Sequence, residues 1–104
     1  MNSDPEDLLV KLIKCKSVTP NDDGALAVIE NILKKNNFKS QRLTFGTGQD
    51  KVENLFLRLG SKHPHLCFAG HTDVVPAGDY NLWEYSPFGA VSYTHLTLPT
   101  IYSV

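Results

Sequence analysis

Two amphipathic patterns open the chain and predict two helices. Asp4 followed by Pro5 is typical of a helix start, because Pro fits the first turn and Asp accepts hydrogen bonds from the free amides. Pro20 ends this pattern, and Asn21 or Asp22 can cap the second helix. The apolar positions recur at helical spacing and are Leu8, Leu9, Leu12 and Ile13 in the first helix and Ala25, Val28, Ile29, Ile32 and Leu33 in the second.

After these helices the period changes to that of β-strands. Residues 38–45 predict one strand, and the alternation of Leu55, Leu57 and Leu59 with Phe56 and Arg58 predicts another. Residues 46–50 read as the turn between them. The continuous apolar run at residues 66–69 predicts a third strand, buried on both faces. The order indicates an α/β fold with two helices followed by a mostly buried sheet.

Composition narrows the class of protein and its location. The 104 residues allow one domain, and the net charge of -1 comes without a basic face, so we expect no nucleic-acid and no membrane partner. Cys15 and Cys67 lack the spacing of a metal knuckle or redox pair and are predicted to be free thiols. The acidic start lacks the features of a signal peptide, and no apolar run reaches membrane-spanning length. A cytoplasmic location is the expectation.

The segment of greatest chemical interest is Gly70-His71-Thr72-Asp73, at the carboxyl end of the predicted third strand. In extended chain, residues two apart project to the same side, so His71 and Asp73 can act together. A neutral imidazole binds zinc through one ring nitrogen while the other donates to a carboxylate that orients the ring. The alternative is a polar strand end in which Asp73 caps a turn and His71 is solvated.

The flanking residues add a resemblance to a known family. The stretch from Phe68 to Asp79 resembles the first metal-ligand signature of the metallohydrolases that include desuccinylases and acetylornithine deacetylases. Trp83 and Pro87-Phe88 follow at offsets usual in desuccinylases, and residues 17–20 with 23–24 look like the family's early segment. The resemblance runs from about residue 4 to residue 90. It implies the incomplete, N-terminal part of a zinc-peptidase-like catalytic domain.

The resemblance also implies a chemistry. His71 would be a metal ligand and Asp73 the catalytic residue that orients it, in a site with two zinc ions (cobalt is possible). The metals and a later Glu would activate a water that hydrolyses N-succinyl-diaminopimelate to succinate and diaminopimelate, for lysine and cell-wall precursors. The full-length enzyme would be a homodimer. The bridging carboxylate, the general base and the other ligands fall after the residues present here.

Three other side chains invite a functional interpretation and have plain alternatives. His63 and His65 have a His-x-His spacing, yet flank Pro64 in a turn, where solvated surface histidines are the expectation. Trp83 can line a substrate cleft or pin a loop to the core.

The last residues do not continue the family pattern. Residues 91–104 look like the translation of a transposon-end adapter used in short-read DNA sequencing, and we expect a native segment over residues 1–90 followed by a non-native tail. On this interpretation His95 has no function. The alternative is a genuine terminal strand, since the stretch is rich in Thr, Tyr and Val.

Two further functions stay open at this point. One is a deacylase or dipeptidase of the same family, such as an acetylornithine deacetylase. The other is a non-catalytic α/β module that binds a partner through its open sheet edge. If the leading interpretation is right, this polypeptide made alone has no desuccinylase activity and is marginally stable or prone to aggregation.

Overall fold

The two predicted helices are present in the computed structural model, which describes residues 4–91. Helix α1 spans Pro5–Ile13 and helix α2 spans Ala25–Lys34. The Oδ1 atom of Asp4 accepts a hydrogen bond from the amide of Glu6 at 3.0 Å, as the sequence predicts for an N-cap.

Helix α2 is capped by a side chain three residues before its first residue. Gly24 adopts a φ of 86°, which lets the chain turn into the helix. Asp22 Oδ1 accepts a hydrogen bond from the amide of Leu26 at 3.0 Å, and its Oδ2 accepts one from the amide of Gly24. A cap of this kind stabilises a helix by about 1 kcal/mol. Ala25 and Leu26, in its first turn, are buried.

The remaining regular structure is an antiparallel hairpin. Strand β1 spans Lys39–Phe45 and strand β2 spans Val52–Arg58, with a register that pairs Lys39 with Arg58 and Phe45 with Val52. A short 3₁₀ turn, Gly48–Asp50, joins them. Gly46 has a φ of 92°, and a Cβ there would stand 2.6 Å from the carbonyl oxygen of Asp50, so the turn requires glycine.

One face of this hairpin packs against α2. Arg42 of β1 donates to Glu30 of α2 from Nη2 at 3.1 Å and to Glu53 of β2 from Nη1 at 3.1 Å, which ties the helix to both strands. Leu55 and Leu57 lie on the same face and are half-buried. The opposite face is exposed, and its apolar members are Leu43, Phe45, Val52 and Phe56.

The predicted mostly buried sheet is therefore wrong for the described part of the chain. The sheet has two strands, and residues 66–69 form no strand; Leu66 is 82% exposed and Phe68 is 88% exposed. The physical reason is the absence of a pairing partner. Strands β1 and β2 form hydrogen bonds to each other, and residues 66–69 pair with neither strand. An apolar run becomes a buried strand only where neighbouring strands and covering layers exist.

Neither α1, with nine residues, nor α2, with ten, is long enough to cross a membrane, and no helix elsewhere in residues 4–91 is both long and apolar enough to do so. The second predicted domain segment, residues 91–104 with His95, lies outside the described residues except for Val91.

Candidate metal-binding segment

The segment that carries His71 and Asp73 is held against the loop that follows α1. An isolated parallel bridge joins Val18 to Val74. The amide of Val74 donates to the carbonyl of Ser17 at 3.0 Å, and the amide of Thr19 donates to the carbonyl of Val74 at 3.3 Å. Two stretches more than 50 residues apart in sequence are thereby brought side by side.

A third hydrogen bond joins the same two stretches through a side chain. Ser17 Oγ donates to the carbonyl oxygen of Thr72 at 2.8 Å. Ser17 is 2% exposed, which makes it the buried polar residue among residues 4–91. Its hydroxyl therefore has its partner inside the protein, as buried polar groups require.

The side chains of His71 and Asp73 contact each other. His71 Nδ1 lies 3.0 Å from Asp73 Oδ1 and 3.0 Å from the backbone oxygen of Asp73. Both partners are acceptors, so Nδ1 carries the proton and donates. The neutral ring then has its lone pair on Nε2, the form that binds a metal ion.

The pair is open to solvent and would be one part of a larger metal site. The side chains of His71 and Asp73 are 82% and 52% exposed. Within residues 4–91, no group of three or more His, Cys, Asp or Glu side chains is placed to hold a metal ion. A catalytic zinc ion normally has three protein ligands. The described residues therefore fit one ligand with its orienting carboxylate and do not fit a complete zinc site.

Two clefts meet at this segment. The first, of about 540 Å³, is mostly apolar and runs between α1 and residues 74–88, with His71, Leu12 and Trp83 in its wall. The second, of about 460 Å³, lies between α2 and the hairpin and is also bordered by His71 and Asp73. Ligand sites are commonly concave and apolar with a few polar groups, and His71 is such a group in both clefts.

Comparison with characterised proteins gives the family of this segment. The chain is 53% identical over 88 residues to the succinyl-diaminopimelate desuccinylase of Parvibaculum lavamentivorans, covering 84% of this chain and 22% of that protein. The desuccinylases of Afipia carboxidovorans and Rhodospirillum centenum are each 51% identical, over 85 and 90 residues, covering 81% and 86% of this chain and 22% and 23% of theirs. In its matched residues, the chain belongs to the succinyl-diaminopimelate desuccinylase family.

This result confirms the family resemblance drawn from the sequence. No protein-family model matches the chain. The chain spans a little over a fifth of the length of the curated desuccinylases that it matches.

Trp83 forms a hydrogen bond within its own loop and borders a cleft, and the structure does not bury it against the core; its role toward a substrate stays a prediction. Its indole Nε1 donates to the carbonyl of Ala77 at 3.0 Å, which pins the loop on which it lies. The ring also borders the larger cleft and is half exposed. The pinning contact fixes the wall of that cleft.

His63 and His65 are exposed, as predicted for solvated surface histidines. Their ring centroids lie 4.6 Å apart in an edge-to-face arrangement, and the Arg58 guanidinium donates to His65 at 3.2 Å. A neighbouring guanidinium repels a cation, so this pair is a poor place for a metal ion.

Both cysteines are free thiols, as the spacing predicts. Partial burial raises the pKa of the Cys15 thiol, and the nearby carboxylates of Asp23 and Asp22 raise it further. Cys15 lies in the wall of the larger cleft, and its Sγ donates to the carbonyl of Lys11 at 3.4 Å.

Sequence reasoning did not assign a role in the site to Ser17. The sequence marks the stretch from Ser17 to Pro20 as a helix break and as part of the family's early segment. Nothing in the spacing shows that Ser17 meets Thr72, 55 residues later. Two family motifs, residues 17–20 and residues 68–79, occur in this short chain. Residues of two such motifs can meet in one site, and this is the signal in the sequence that points to a contact between them.

Proposed function

We propose that the chain is a segment of a zinc-dependent amide hydrolase that converts N-succinyl-diaminopimelate to succinate and diaminopimelate. One structural observation carries the proposal: His71 donates from Nδ1 to Asp73 and keeps Nε2 for another partner, next to two clefts. The identity of 48–53% to proteins named as desuccinylases supports this substrate over that of a deacylase or dipeptidase of the family.

In this proposal the two side chains have separate tasks. His71 binds a metal ion through Nε2. Asp73 holds the ring in the Nδ1–H form, fixes its orientation and makes Nε2 a stronger donor. A zinc ion bound there would polarise the amide carbonyl and acidify a bound water. We propose that the further ligands and the general base lie outside the residues matched here.

The remaining assignments follow from the same resemblance. We propose that the full-length enzyme uses two zinc ions, with cobalt as a substitute. We also propose that it forms a homodimer in the cytoplasm and takes part in lysine and diaminopimelate biosynthesis. The alternative of a non-catalytic module gains no support from an observation in residues 4–91.

A chimera tests the proposal with a complete enzyme. The 88 aligned residues of the Parvibaculum desuccinylase are replaced by the matching residues of this chain, which are 53% identical. Zinc-loaded chimera and parent are assayed for succinate release from N-succinyl-diaminopimelate and for acetate release from N-acetylornithine. We expect the chimera to keep desuccinylase activity within about tenfold of the parent and to prefer the succinyl substrate.

The controls separate misfolding from loss of function. A folded, zinc-loaded chimera without activity on either substrate would contradict the proposal. A folded chimera that prefers N-acetylornithine would favour the deacetylase alternative. The 104-residue chain assayed alone with zinc is expected to release no succinate, and measurable zinc-dependent release would contradict that expectation.

A further inference from the structure

We propose that Ser17 is a positioning residue for the His71–Asp73 pair, acting through the backbone of Thr72. The inference deepens the proposed function and rests on it, because it concerns the side chains assigned there to metal binding. It assigns a purpose to a buried hydroxyl that neither the motif around His71 nor the helix pattern explains.

Ser17 contacts the backbone between His71 and Asp73. Ser17 Oγ donates to the carbonyl oxygen of Thr72 at 2.8 Å. Thr72 is the residue between His71 and Asp73, so this bond fixes the peptide unit that joins it to Asp73. The direction in which the Asp73 side chain projects from the backbone depends on that peptide unit. The 3.0 Å contact between Asp73 Oδ1 and His71 Nδ1 depends on that direction in turn.

Hydrogen bonds of its own amide and of the preceding amide hold Ser17 in place. Its amide donates to the carbonyl of Cys15 at 2.8 Å, just after α1. The preceding amide, of Lys16, donates to Asp23 Oδ2 at 2.6 Å, in the loop that begins α2. The backbone at Ser17 is therefore held between the loop after α1 and the loop before α2, and Ser17 is 2% exposed. A hydroxyl fixed in this way transmits the position of the helices to the segment that it contacts.

The segment that carries His71 and Asp73 needs an anchor of this kind. The chain before it is exposed and unpaired, with Phe68 88% exposed, and the side chain of His71 is 82% exposed. An exposed His–Asp pair on unpaired backbone would sample many orientations, which lowers the affinity of a metal site. The hydroxyl bond and the two backbone bonds around Val74 restrict the segment on one side.

The test uses the desuccinylase chimera without metal, because the 104-residue chain alone is expected to self-associate, and it observes His71 directly. Nitrogen-15 NMR of the imidazole distinguishes the Nδ1–H form from the Nε2–H form. In the unaltered chimera we expect the Nδ1–H form to predominate. In Ser17→Ala we expect the ratio of the Nδ1–H form to the Nε2–H form to fall at least threefold, because the Asp73 carboxylate no longer stays aligned with His71 Nδ1. Ser61→Ala, at an exposed turn serine, is the matched control and should leave the ratio unchanged.

The same variants separate positioning from general stability. Circular dichroism and thermal unfolding show whether Ser17→Ala is folded. A role in stability alone would lower the melting temperature while His71 in the folded chimera keeps its ratio of forms, and that result would overturn the proposal. Ser17→Thr keeps the hydroxyl and is expected to restore the ratio.

A measurement on the unaltered chimera covers the case in which Ser17→Ala does not fold. A hydroxyl proton held between Ser17 and Thr72 exchanges slowly with water and gives a separate proton signal. Its presence is expected, and a rapidly exchanging Ser17 hydroxyl in the folded chimera would overturn the proposal.

A final arm links the inference to the metal. In the desuccinylase chimera, Ser17→Ala is expected to weaken zinc retention about threefold to tenfold against a chelator. Loss of a residue in direct contact with the ligand costs about 10-fold to 100-fold, and Ser17 acts one residue further away. If the metal-loaded chimera fails as an enzyme while the ratio in the metal-free chimera responds to Ser17→Ala, the proposed function fails and the positioning contact stands.

Discussion

At the scale of single residues, neighbouring groups decide how each reactive side chain behaves. His71 is exposed, yet its tautomer is fixed because both oxygens near Nδ1 are acceptors. Cys15 is partly covered and lies near two carboxylates, and both effects disfavour its thiolate. The two residues border the same cleft.

The raised pKa of Cys15 predicts slow alkylation. In a Cys67→Ser variant, Cys15 should react with iodoacetamide more slowly at pH 8 than it does in the same chain unfolded in urea, because less of it is thiolate. Its rate profile should be displaced to higher pH in the folded chain.

Asp23→Asn removes one of the carboxylates that raise this pKa and should displace the profile back toward lower pH. Asp50→Asn, in the hairpin turn, is the matched control and should change nothing. Identical profiles for folded and unfolded chain would contradict the account of Cys15.

At the scale of elements, the sequence predicted those parts whose signals are local. Asp4 with Pro5 and Asp22 act as helix caps, and the turn after Phe45 forms where its glycines predict it. These features depend on a few neighbouring residues. The strand predicted at residues 66–69 depends on partners distant in sequence, and an apolar run alone does not specify them.

In the candidate site, too, the sequence predicts the contact that is local in the chain and does not predict the long-range one. The contact between His71 and Asp73 follows from their spacing of two in extended chain. The contact between Ser17 and Thr72 depends on how two separated stretches meet, which no periodicity encodes. Sequence alone therefore pointed to the pair and could not identify the residue behind it.

The link between α2 and the hairpin predicts an acid-sensitive element. Hydrogen bonds from Ser40 and Arg42 hold the pKa of Glu30 below its ordinary value. A carboxyl with a lowered folded-state pKa stabilises the fold above its unfolded pKa, and this contribution is lost as the pH falls through the lowered value.

We therefore expect the free energy of unfolding to decrease as the pH drops below about 4.3, the ordinary value for Glu. Glu30→Gln should make that decrease shallower. Glu84→Gln, on an exposed loop, should leave it unchanged. Urea unfolding at a series of pH values measures the effect, and equal slopes for wild type and Glu30→Gln would contradict it.

At the scale of the whole molecule, the described residues bury little apolar surface. Ala25 and Leu26 are the buried hydrophobic residues among them. One face of the hairpin is exposed, and the segment around Phe68 is exposed as well. An isolated two-stranded hairpin is marginally stable at best, and here α2 packs on only one of its faces. Large exposed apolar patches promote association.

This surface predicts self-association of the chain made alone. We expect it to bind the dye ANS and to elute from a size-exclusion column in a concentration-dependent manner. Replacing Phe45 and Phe56 by Ser should reduce both effects, since these side chains lie on the uncovered face.

Gln41→Ser with Asn54→Ser changes polar positions on the same face and is the matched control. A monodisperse chain that unfolds cooperatively and does not bind ANS would contradict the prediction of marginal stability.

We propose that the His71–Asp73 pair binds a metal ion in a desuccinylase. The most direct measurement is the zinc content of the purified chimera and its variants after dialysis against a weak chelator. We expect His71→Ala to lose at least one zinc ion and Asp73→Asn to retain zinc about 10-fold to 100-fold more weakly. His63→Ala and His65→Ala should retain zinc fully. Unchanged zinc content in His71→Ala would contradict the account.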